Sequence, residues 1–116
     1  MKLTDKQLIL ILAECASACH HCSVACLDEK GTSMLAECIK LDMDCAQICE
    51  VAISFISRGS THAKHILKEC IEICTHCAAE CEKHDHMEHC KRCAEACHKC
   101  ADACKKFTST VFAAHT

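Results

Sequence analysis

The chain has 116 residues, 25% of them charged, and a formal net charge of -3, so it offers material for one domain and no basic surface for nucleic acid. Sixteen residues are cysteine, whereas proline, tryptophan and tyrosine are absent. That cysteine content far exceeds ordinary usage and indicates disulfides or metal ions. The lack of tryptophan and tyrosine also argues against the aromatic stacking surfaces of proteins that bind single-stranded nucleic acid.

The start of the chain predicts a cytoplasmic protein. Residues 1–7 are polar, and the apolar run from Leu8 to Ala13 has six residues and no small-residue cleavage site, unlike a secretory signal. No uninterrupted run of about 18 apolar residues is present, so we expect no membrane-spanning helix and no membrane partner. In the cytoplasm, the thiols would be kept reduced.

Four helices are predicted along the chain, because apolar residues recur with helical spacing and no segment alternates with a period of two. The two glycines, Gly31 and Gly59, lie at predicted helix ends. The predicted helices cover about residues 4–28, 33–57, 60–83 and 86–112. Short junctions favour antiparallel neighbours, so we expect an all-α, up-down-up-down four-helix bundle forming one domain over residues 1–116.

Local signals mark where these helices begin. Thr4 with Gln7, and Asp85 with Glu88, match the capping-box spacing of helix N-termini. The Thr-Ser and Ser-Thr pairs that follow the two glycines are expected to cap the second and third helices.

The first helical hairpin recurs as the second hairpin, 55 positions later. Seven cysteines of the first half each match a cysteine of the second half at this offset. The remaining two, Cys90 and Cys97, correspond to Leu35 and Asp42. We therefore expect a bundle built from a duplicated helical hairpin.

The cysteines are predicted to lie on one face of each helix. At about 100° per residue, the four cysteines of the first helix fall within roughly 60°, and those of the third helix repeat that spacing. The second helix carries a similar stripe with Asp42 at its edge, and the stripe of the fourth helix spans roughly 80°. Spacing that alternates between three and four is typical of the inner seam of a bundle, so we expect a cysteine-lined core.

Antiparallel packing would stack these side chains into layers. From one end of the bundle to the other, the expected layers are Cys26, Cys38, Cys81 and Cys90; then Cys22, Asp42, Cys77 and Cys93; then Cys19, Cys45, Cys74 and Cys97; and finally Cys15, Cys49, Cys70 and Cys104, with Cys100 near the last two.

The two ends of the predicted bundle differ in chemistry, and we name them the plug and the mouth. The plug collects apolar side chains: Leu8, Ile11, Leu12, Ile53, Ile56, Ala63, Ile66, Leu67, Phe107 and Val111. The mouth collects side chains that can bind a metal: Cys26, Met34, Cys38, Cys81, His84, His86 and Cys90. We expect Met34 to face inward, and metal ions to pass through the mouth.

Thiolates are soft ligands that favour Cu(I), Zn²⁺ or iron–sulfur clusters. Zinc and iron–sulfur sites usually lie on loops that wrap the metal, whereas regular helices offer sulfurs along a line. Cu(I) accepts two or three thiolates without strict angular demands, so the pattern favours many Cu(I) ions bridged by shared sulfurs. One Cu(I) per thiolate would cancel the charge of a fully ionised core, which sets a capacity near one copper per cysteine. Protonated thiols pack as small apolar groups, so the copper-free bundle should also fold.

Two other functions stay open from the residues alone. The even number of cysteines also suits a disulfide-stapled or redox-active structural bundle. An enzyme with an iron–sulfur or zinc centre is less favoured, because no catalytic dyad is apparent and a metal saturated by thiolates has no open coordination position. We therefore expect a protein that is not an enzyme and that stores or sequesters Cu(I).

The repeated Cys-x3-Cys-x2-Cys-x3-Cys seams, the lack of an aromatic core and the His- and Met-bearing mouth resemble the bacterial copper storage proteins. The lack of a signal peptide is similar to their cytosolic branch. This resemblance covers nearly the whole chain, and it implies a four-helix bundle, a homotetramer, and Cu(I) bound by all sixteen cysteines.

The resemblance also implies ligands at the mouth, which suits Met34, His84 and His86. The implied partners are copper ions, and the copper chaperones or client cuproenzymes that exchange them. Asp42 departs from the repeat, which predicts cysteine there. Its role as an oxygen ligand for the metal, a hydrogen-bond acceptor or a bystander stays open at this point.

Overall fold

The computed structural model describes residues 3–109 and contains four α-helices. They are α1 (Asp5–Leu27), α2 (Ala36–Ser57), α3 (Ala63–Glu82) and α4 (Glu88–Phe107). Each helix packs against the next one along the chain, and α4 closes the ring against α1, in a bundle about 49 Å long. The predicted all-α four-helix bundle is therefore confirmed. The predicted end of the fourth helix at residue 112, together with Val111, lies outside the described residues.

The first helix begins as its sequence predicts. The Thr4 hydroxyl accepts a hydrogen bond from the Gln7 backbone N–H at 3.1 Å, and the Gln7 side chain accepts one from the Thr4 N–H at 2.9 Å. The corresponding prediction for Asp85 and Glu88 is wrong. There, the Met87 N–H donates to the His84 carbonyl at 3.0 Å, so the chain is still in a turn and α4 starts only at Glu88, without a side-chain cap.

The two glycines form tight turns after the two helices of the first hairpin, α1 and α2. Gly31 and Gly59 have φ values of 75° and 65°, a left-handed conformation that other residues rarely adopt. The second helix starts later than predicted, because Thr32–Leu35 form a 3-10 turn before it. The Thr32 hydroxyl donates back to the Glu29 carbonyl at 2.7 Å instead of capping the new helix. After the second glycine, the Ser60 hydroxyl accepts from the His62 N–H at 3.1 Å, but α3 begins only at Ala63, with His62 at its N-cap and no side-chain cap. The predicted caps of the second and third helices are therefore wrong.

The sixteen cysteine side chains lie in the core of the bundle, and we call the row of their sulfur atoms along the bundle axis the column. All sixteen cysteines are completely buried, as their inward seams predict. Alanines such as Ala46 and Ala78 are buried beside them. Because alanine and cysteine are both small, the helices can approach closely and bring the sulfurs of different helices into contact.

The plug end is packed with larger apolar groups. Leu8, Leu12 and Leu67 are completely buried, and Phe107 is 3% exposed. Three other residues predicted for this inner surface are only partly buried and lie at the margin of the core: Ile11, Ile53 and Ile66. Within the described residues, the plug is therefore apolar as predicted, but fewer of its side chains are fully buried than the sequence predicts.

Among the described residues, one helix is long and apolar enough to cross a membrane by length and composition alone. This is α1, whose best 18-residue window has a mean hydropathy of 1.5. The result differs from the expectation of no such segment, because the cysteines of α1 raise its mean hydropathy although its apolar run is interrupted. A third of the window (33%) is buried inside the bundle. A core helix passes the same test, so this helix is weak support for a membrane span.

Candidate metal centre

The sulfur atoms of neighbouring helices lie in contact along the whole column. The shortest distances join α2 to α3, at 3.4 Å between Cys45 and Cys74 and 3.5 Å between Cys38 and Cys81. A disulfide bond is about 2.0 Å long, and all sixteen cysteines are free thiols. The structure therefore gives no support to the disulfide-stapled alternative.

The predicted layers are present but are not separate. Cys45 contacts Cys74 and Cys97 within one predicted layer, and Cys19 lies 3.7 Å from Cys97. Cys15, from the next layer, lies 3.8 Å from Cys45 and 3.9 Å from Cys97. Sulfur–sulfur distances between layers are thus similar to those within a layer, and the thiols form one continuous column.

Several groups of four thiols are compact enough to surround a metal ion. In each group, all sulfur atoms lie within 4.8 Å of one another. The groups consist of Cys15, Cys49, Cys74 and Cys100; Cys15, Cys19, Cys45 and Cys97; and Cys19, Cys77, Cys93 and Cys97. Since Cys15, Cys19 and Cys97 each belong to two groups, ions held in neighbouring groups would share bridging sulfurs.

Asp42 is the one completely buried charged side chain among the described residues. Its Oδ1 accepts hydrogen bonds from the thiols of Cys77 and Cys93, both at 3.2 Å, and from that of Cys81 at 3.5 Å. Burial raises the pKa of Asp42 to about 8, and the nearby charge of the Cys93 sulfur adds to the rise. In the copper-free protein, Asp42 is therefore a hydrogen-bond acceptor for thiols of three different seam positions.

At the mouth, His89 faces the column from the first turn of α4. Its Nδ1 lies 3.7 Å from the sulfur of Cys22, 3.8 Å from that of Cys26 and 3.5 Å from that of Cys90. Its Nε2 points the other way and lies 3.3 Å from a carboxylate oxygen of Glu29. His89 thus connects the outermost buried thiols to the surface of the protein.

The residues predicted for the mouth occupy different positions. Met34 is 78% exposed, so the prediction that it faces inward is wrong, because the 3-10 turn carries it outside the bundle. His84 is half-buried and bonds to Glu80 at 3.2 Å, while His86 is exposed. These three side chains and Met87 line one surface depression of about 200 Å³. They lie together at the predicted end of the bundle, but among the described residues no hydrogen bond joins their side chains to the buried thiols.

His89 is absent from the predicted metal-binding residues, although the sequence carries a signal for it. On a helical wheel, His89 lies about 40° from Cys93 and about 20° from Cys100, at the edge of the cysteine stripe of α4.

The outermost thiols hold their protons in the copper-free protein. Burial raises the pKa of the Cys26 thiol to about 11, and burial likewise raises that of Cys90. A metal ion must displace these protons to form thiolate bonds. These two thiols are therefore neutral without metal, and they become negative thiolates only as positive ions arrive.

Comparisons with known proteins point in one direction. The model of the copper storage protein family matches residues 1–109. A cysteine-rich protein of Bacillus subtilis (strain 168), YhjQ, described as uncharacterized, is 43% identical over 83 residues, which is 72% of this chain and 76% of the relative.

Two solved structures share the fold over most of the chain. The Cu(I)-bound copper storage protein BsCsp3 is 39% identical with a TM-score of 0.84, covering 88% of this chain and 95% of that one. A cytosolic copper storage protein from Streptomyces lividans, loaded with five coppers, is 36% identical with a TM-score of 0.87, covering 90% and 92% of the two chains.

Proposed function

The chain belongs to the copper storage protein family, and we propose that it stores many Cu(I) ions on the cysteine thiolates of its core. The observation that carries this proposal is the continuous column of sixteen buried thiols, with sulfur–sulfur contacts between helices from 3.4 Å upward. Discrete structural or catalytic sites need four ligands or fewer from the protein. A column in which most sulfurs lie within about 4 Å of another sulfur supports clusters that grow by sharing ligands.

We assign all sixteen cysteines as copper ligands, including Cys104 at the far end of the column. The balance of charge supports a monovalent ion, because one Cu(I) per thiolate leaves the buried core neutral. Soft thiolate ligands favour Cu(I) on chemical grounds as well. Asp42 contributes in the copper-free state as a hydrogen-bond acceptor that keeps the thiols of Cys77 and Cys93 oriented toward the centre of the column.

Copper passes through the mouth in this proposal. The plug is closed by aliphatic and aromatic groups that cannot bind a metal, whereas the mouth carries imidazole and thioether groups. Met34, His84 and His86 would collect copper at the surface depression. His89, which touches both the surface and three buried thiols, would then transfer it inward, where thiolates hold it more tightly.

The setting of this activity is proposed by similarity. The relative from Streptomyces lividans is a cytosolic protein, which supports a cytoplasmic location for this chain, where thiols stay reduced. Assembly as a homotetramer, and exchange of copper with chaperones or client cuproenzymes, are further parts of the proposal. The family is one of storage proteins, and we propose that this chain has no catalytic activity.

Anaerobic titration of the reduced protein with Cu(I) tests the proposal. We expect more than about ten Cu(I) ions to bind per chain, because the thiols form one column with shared contacts. Since the chain lacks tryptophan and tyrosine, the growth of near-ultraviolet absorption reports copper–thiolate bonds with little background. Saturation at about four equivalents or fewer would defeat storage and favour discrete sites.

A further inference from the structure

Three thiols and one imidazole at the mouth form a nearly regular tetrahedron. The group consists of Cys22, Cys26, His89 and Cys90. The three sulfur–sulfur distances are 3.9, 3.9 and 3.8 Å, and the three distances from His89 Nδ1 to the sulfurs are 3.7, 3.8 and 3.5 Å. All six edges therefore fall within a narrow range.

These edges match the size of a zinc ion's coordination shell. Zinc binds cysteine sulfur at about 2.3 Å and histidine nitrogen at about 2.0–2.1 Å, in tetrahedral geometry. A regular tetrahedron with those bonds has sulfur–sulfur edges of about 3.8 Å and sulfur–nitrogen edges of about 3.6 Å. Each observed edge differs from the corresponding ideal edge by about 0.2 Å or less. Zinc sites usually lie on loops that wrap the metal, and this group lies where α4 begins and supplies two adjacent ligands, His89 and Cys90.

The orientation of His89 separates this group from ordinary packing of thiols. Its Nδ1 faces the three sulfurs, while its Nε2 lies 3.3 Å from Glu29. A carboxylate that accepts the second ring N–H of a ligating histidine is the usual outer partner in zinc sites, where it holds the ring orientation and increases the basicity of the ligand. Glu29 is 42% exposed and the His89 side chain 13% exposed, so an ion can reach the group from solvent.

We propose that Cys22, Cys26, His89 and Cys90 form a tetrahedral site for a divalent d10 ion, with Zn²⁺ as its physiological occupant, and that Glu29 is its positioning residue. Binding displaces three thiol protons to solvent and leaves a net charge of -1 on the site. Because three of these ligands are also part of the copper column, zinc and copper exclude each other here. A zinc ion at this position would close the mouth of the copper-free protein.

Cadmium is the probe for this site, because it shares the charge and the tetrahedral preference of zinc, and its thiolate bonds absorb in the ultraviolet. The reduced, copper-free full chain is titrated anaerobically with Cd²⁺ in the presence of a competing chelator. We expect one equivalent to bind more tightly than any other. Cys26→Ser and His89→Ala should weaken that equivalent by at least about tenfold, and Glu29→Gln by about 10- to 100-fold.

Two control variants isolate the geometry from the number of ligands. Cys104→Ser also removes one buried thiol, but at the other end of the column, and His84→Ala removes a neighbouring imidazole outside the group. Both should bind the first Cd²⁺ as tightly as the unaltered chain. Equal binding of the first ion by Cys104→Ser, Cys26→Ser and His89→Ala would overturn the proposal, as would the absence of a distinct tight equivalent. Glu29→Gln alters an exposed side chain, so it keeps the test decisive if a core variant fails to fold.

A parallel titration with Cu(I) separates this inference from the proposed storage function. Normal copper capacity without a tight Cd²⁺ equivalent would defeat only the zinc site. Low copper capacity would defeat storage and leave the zinc site standing if the cadmium result holds. As a further readout, one equivalent of Zn²⁺ should slow the first copper uptake at least about tenfold in the unaltered chain but not in His89→Ala.

Discussion

The two ends of the bundle are buried to a similar degree but differ in what their side chains can do. At the plug, Leu8, Leu12 and Leu67 are completely buried and can contribute only packing energy. At the mouth, Cys26 and Cys90 are also completely buried, yet they contact an imidazole that reaches the surface. Packing and metal binding are therefore separated along the bundle axis. The plug supplies packing energy, and the mouth supplies side chains that can bind a metal. We expect packing at the plug to hold the helices in register without metal, so that the protein is already folded when metal ions bind to the thiols.

The largest expected effect concerns Asp42, which lies toward the mouth and is the polar exception in the column. Its pKa is raised from 3.8 to about 8 in the folded protein, so folding favours the protonated form. The contribution of this group to stability is therefore complete below about pH 4 and is lost as the pH rises to about 8, by up to about 1.4 kcal/mol per pH unit.

Urea unfolding of the reduced, copper-free protein across this pH range provides the measurement for Asp42. Asp42→Asn has no carboxyl group to titrate at this position. As the pH rises from 4 to 8, the unfolding free energy of the unaltered protein should therefore fall relative to that of Asp42→Asn. The two proteins share every other ionisable group, so the contributions of those groups cancel in the difference. A difference that does not vary with pH would show that Asp42 is ionised in the core throughout.

A substitution at the plug should lower the stability of the protein without changing its copper capacity. Leu67→Ala removes a completely buried side chain and should lower the unfolding free energy by about 2–5 kcal/mol, through lost burial and a residual cavity. Its matched control is Leu10→Ala on α1, where the leucine is 55% exposed and the cost should be below about 0.5 kcal/mol. Both variants should retain full copper capacity in an anaerobic titration. A marked loss of capacity in Leu67→Ala, with the fold intact, would mean that the ends are not separate.

Substitutions at the mouth should have the opposite effect to those at the plug. They should change the rate of copper uptake more than they change the stability of the protein or its copper capacity. His89→Ala should slow uptake about tenfold, equivalent to about 1.4 kcal/mol in the barrier, because it removes the group that touches both surface and thiols. Replacing Met34, His84 and His86 together by alanine should slow uptake less, about two- to threefold, since no hydrogen bond joins these side chains to a buried thiol. Stopped-flow absorption after mixing with Cu(I) measures both rates, with the exposed His98→Ala as control. If a plug variant accelerated uptake while these variants left it unchanged, copper would enter at the opposite end.

The smallest expected effect tests the helix start that lies at the plug end. Thr4→Ala removes the capping hydroxyl of α1 and should cost about 1 kcal/mol of stability. Thr75→Ala is a useful comparison, because its hydroxyl only donates within α3 to the Ile71 carbonyl, and its loss should be nearly neutral. Thermal unfolding followed by circular dichroism is sensitive enough to separate the two. Equal midpoints for the two variants would argue that the cap contributes nothing beyond the packing of Leu8.

Much of the fold could be predicted because its signals are local and repeated. The spacing of Cys15, Cys19, Cys22 and Cys26 places four thiols on one helical face, and the 55-residue repeat presents the same face again. The capping box at Thr4 and the glycine turns are likewise set by nearest neighbours along the chain. By contrast, the predicted cap at Asp85 fails because the path of the preceding turn, and not the spacing of two residues, decides where α4 begins.

The sequence alone predicts the all-α class, the inward thiol seams, the affinity for soft metal ions and the contrast between the two ends of the bundle. Helical periodicity and the chemistry of sulfur are sufficient for these conclusions. Only the tertiary structure decided that Met34 lies outside, that Asp42 accepts hydrogen bonds from thiols of other helices, and that His89 joins Cys22 and Cys26 across 63 or more residues of sequence. These outcomes depend on the rotation of each helix about its axis and on the route of the loops. Both are determined by packing among all four helices, and no local pattern in the chain records them.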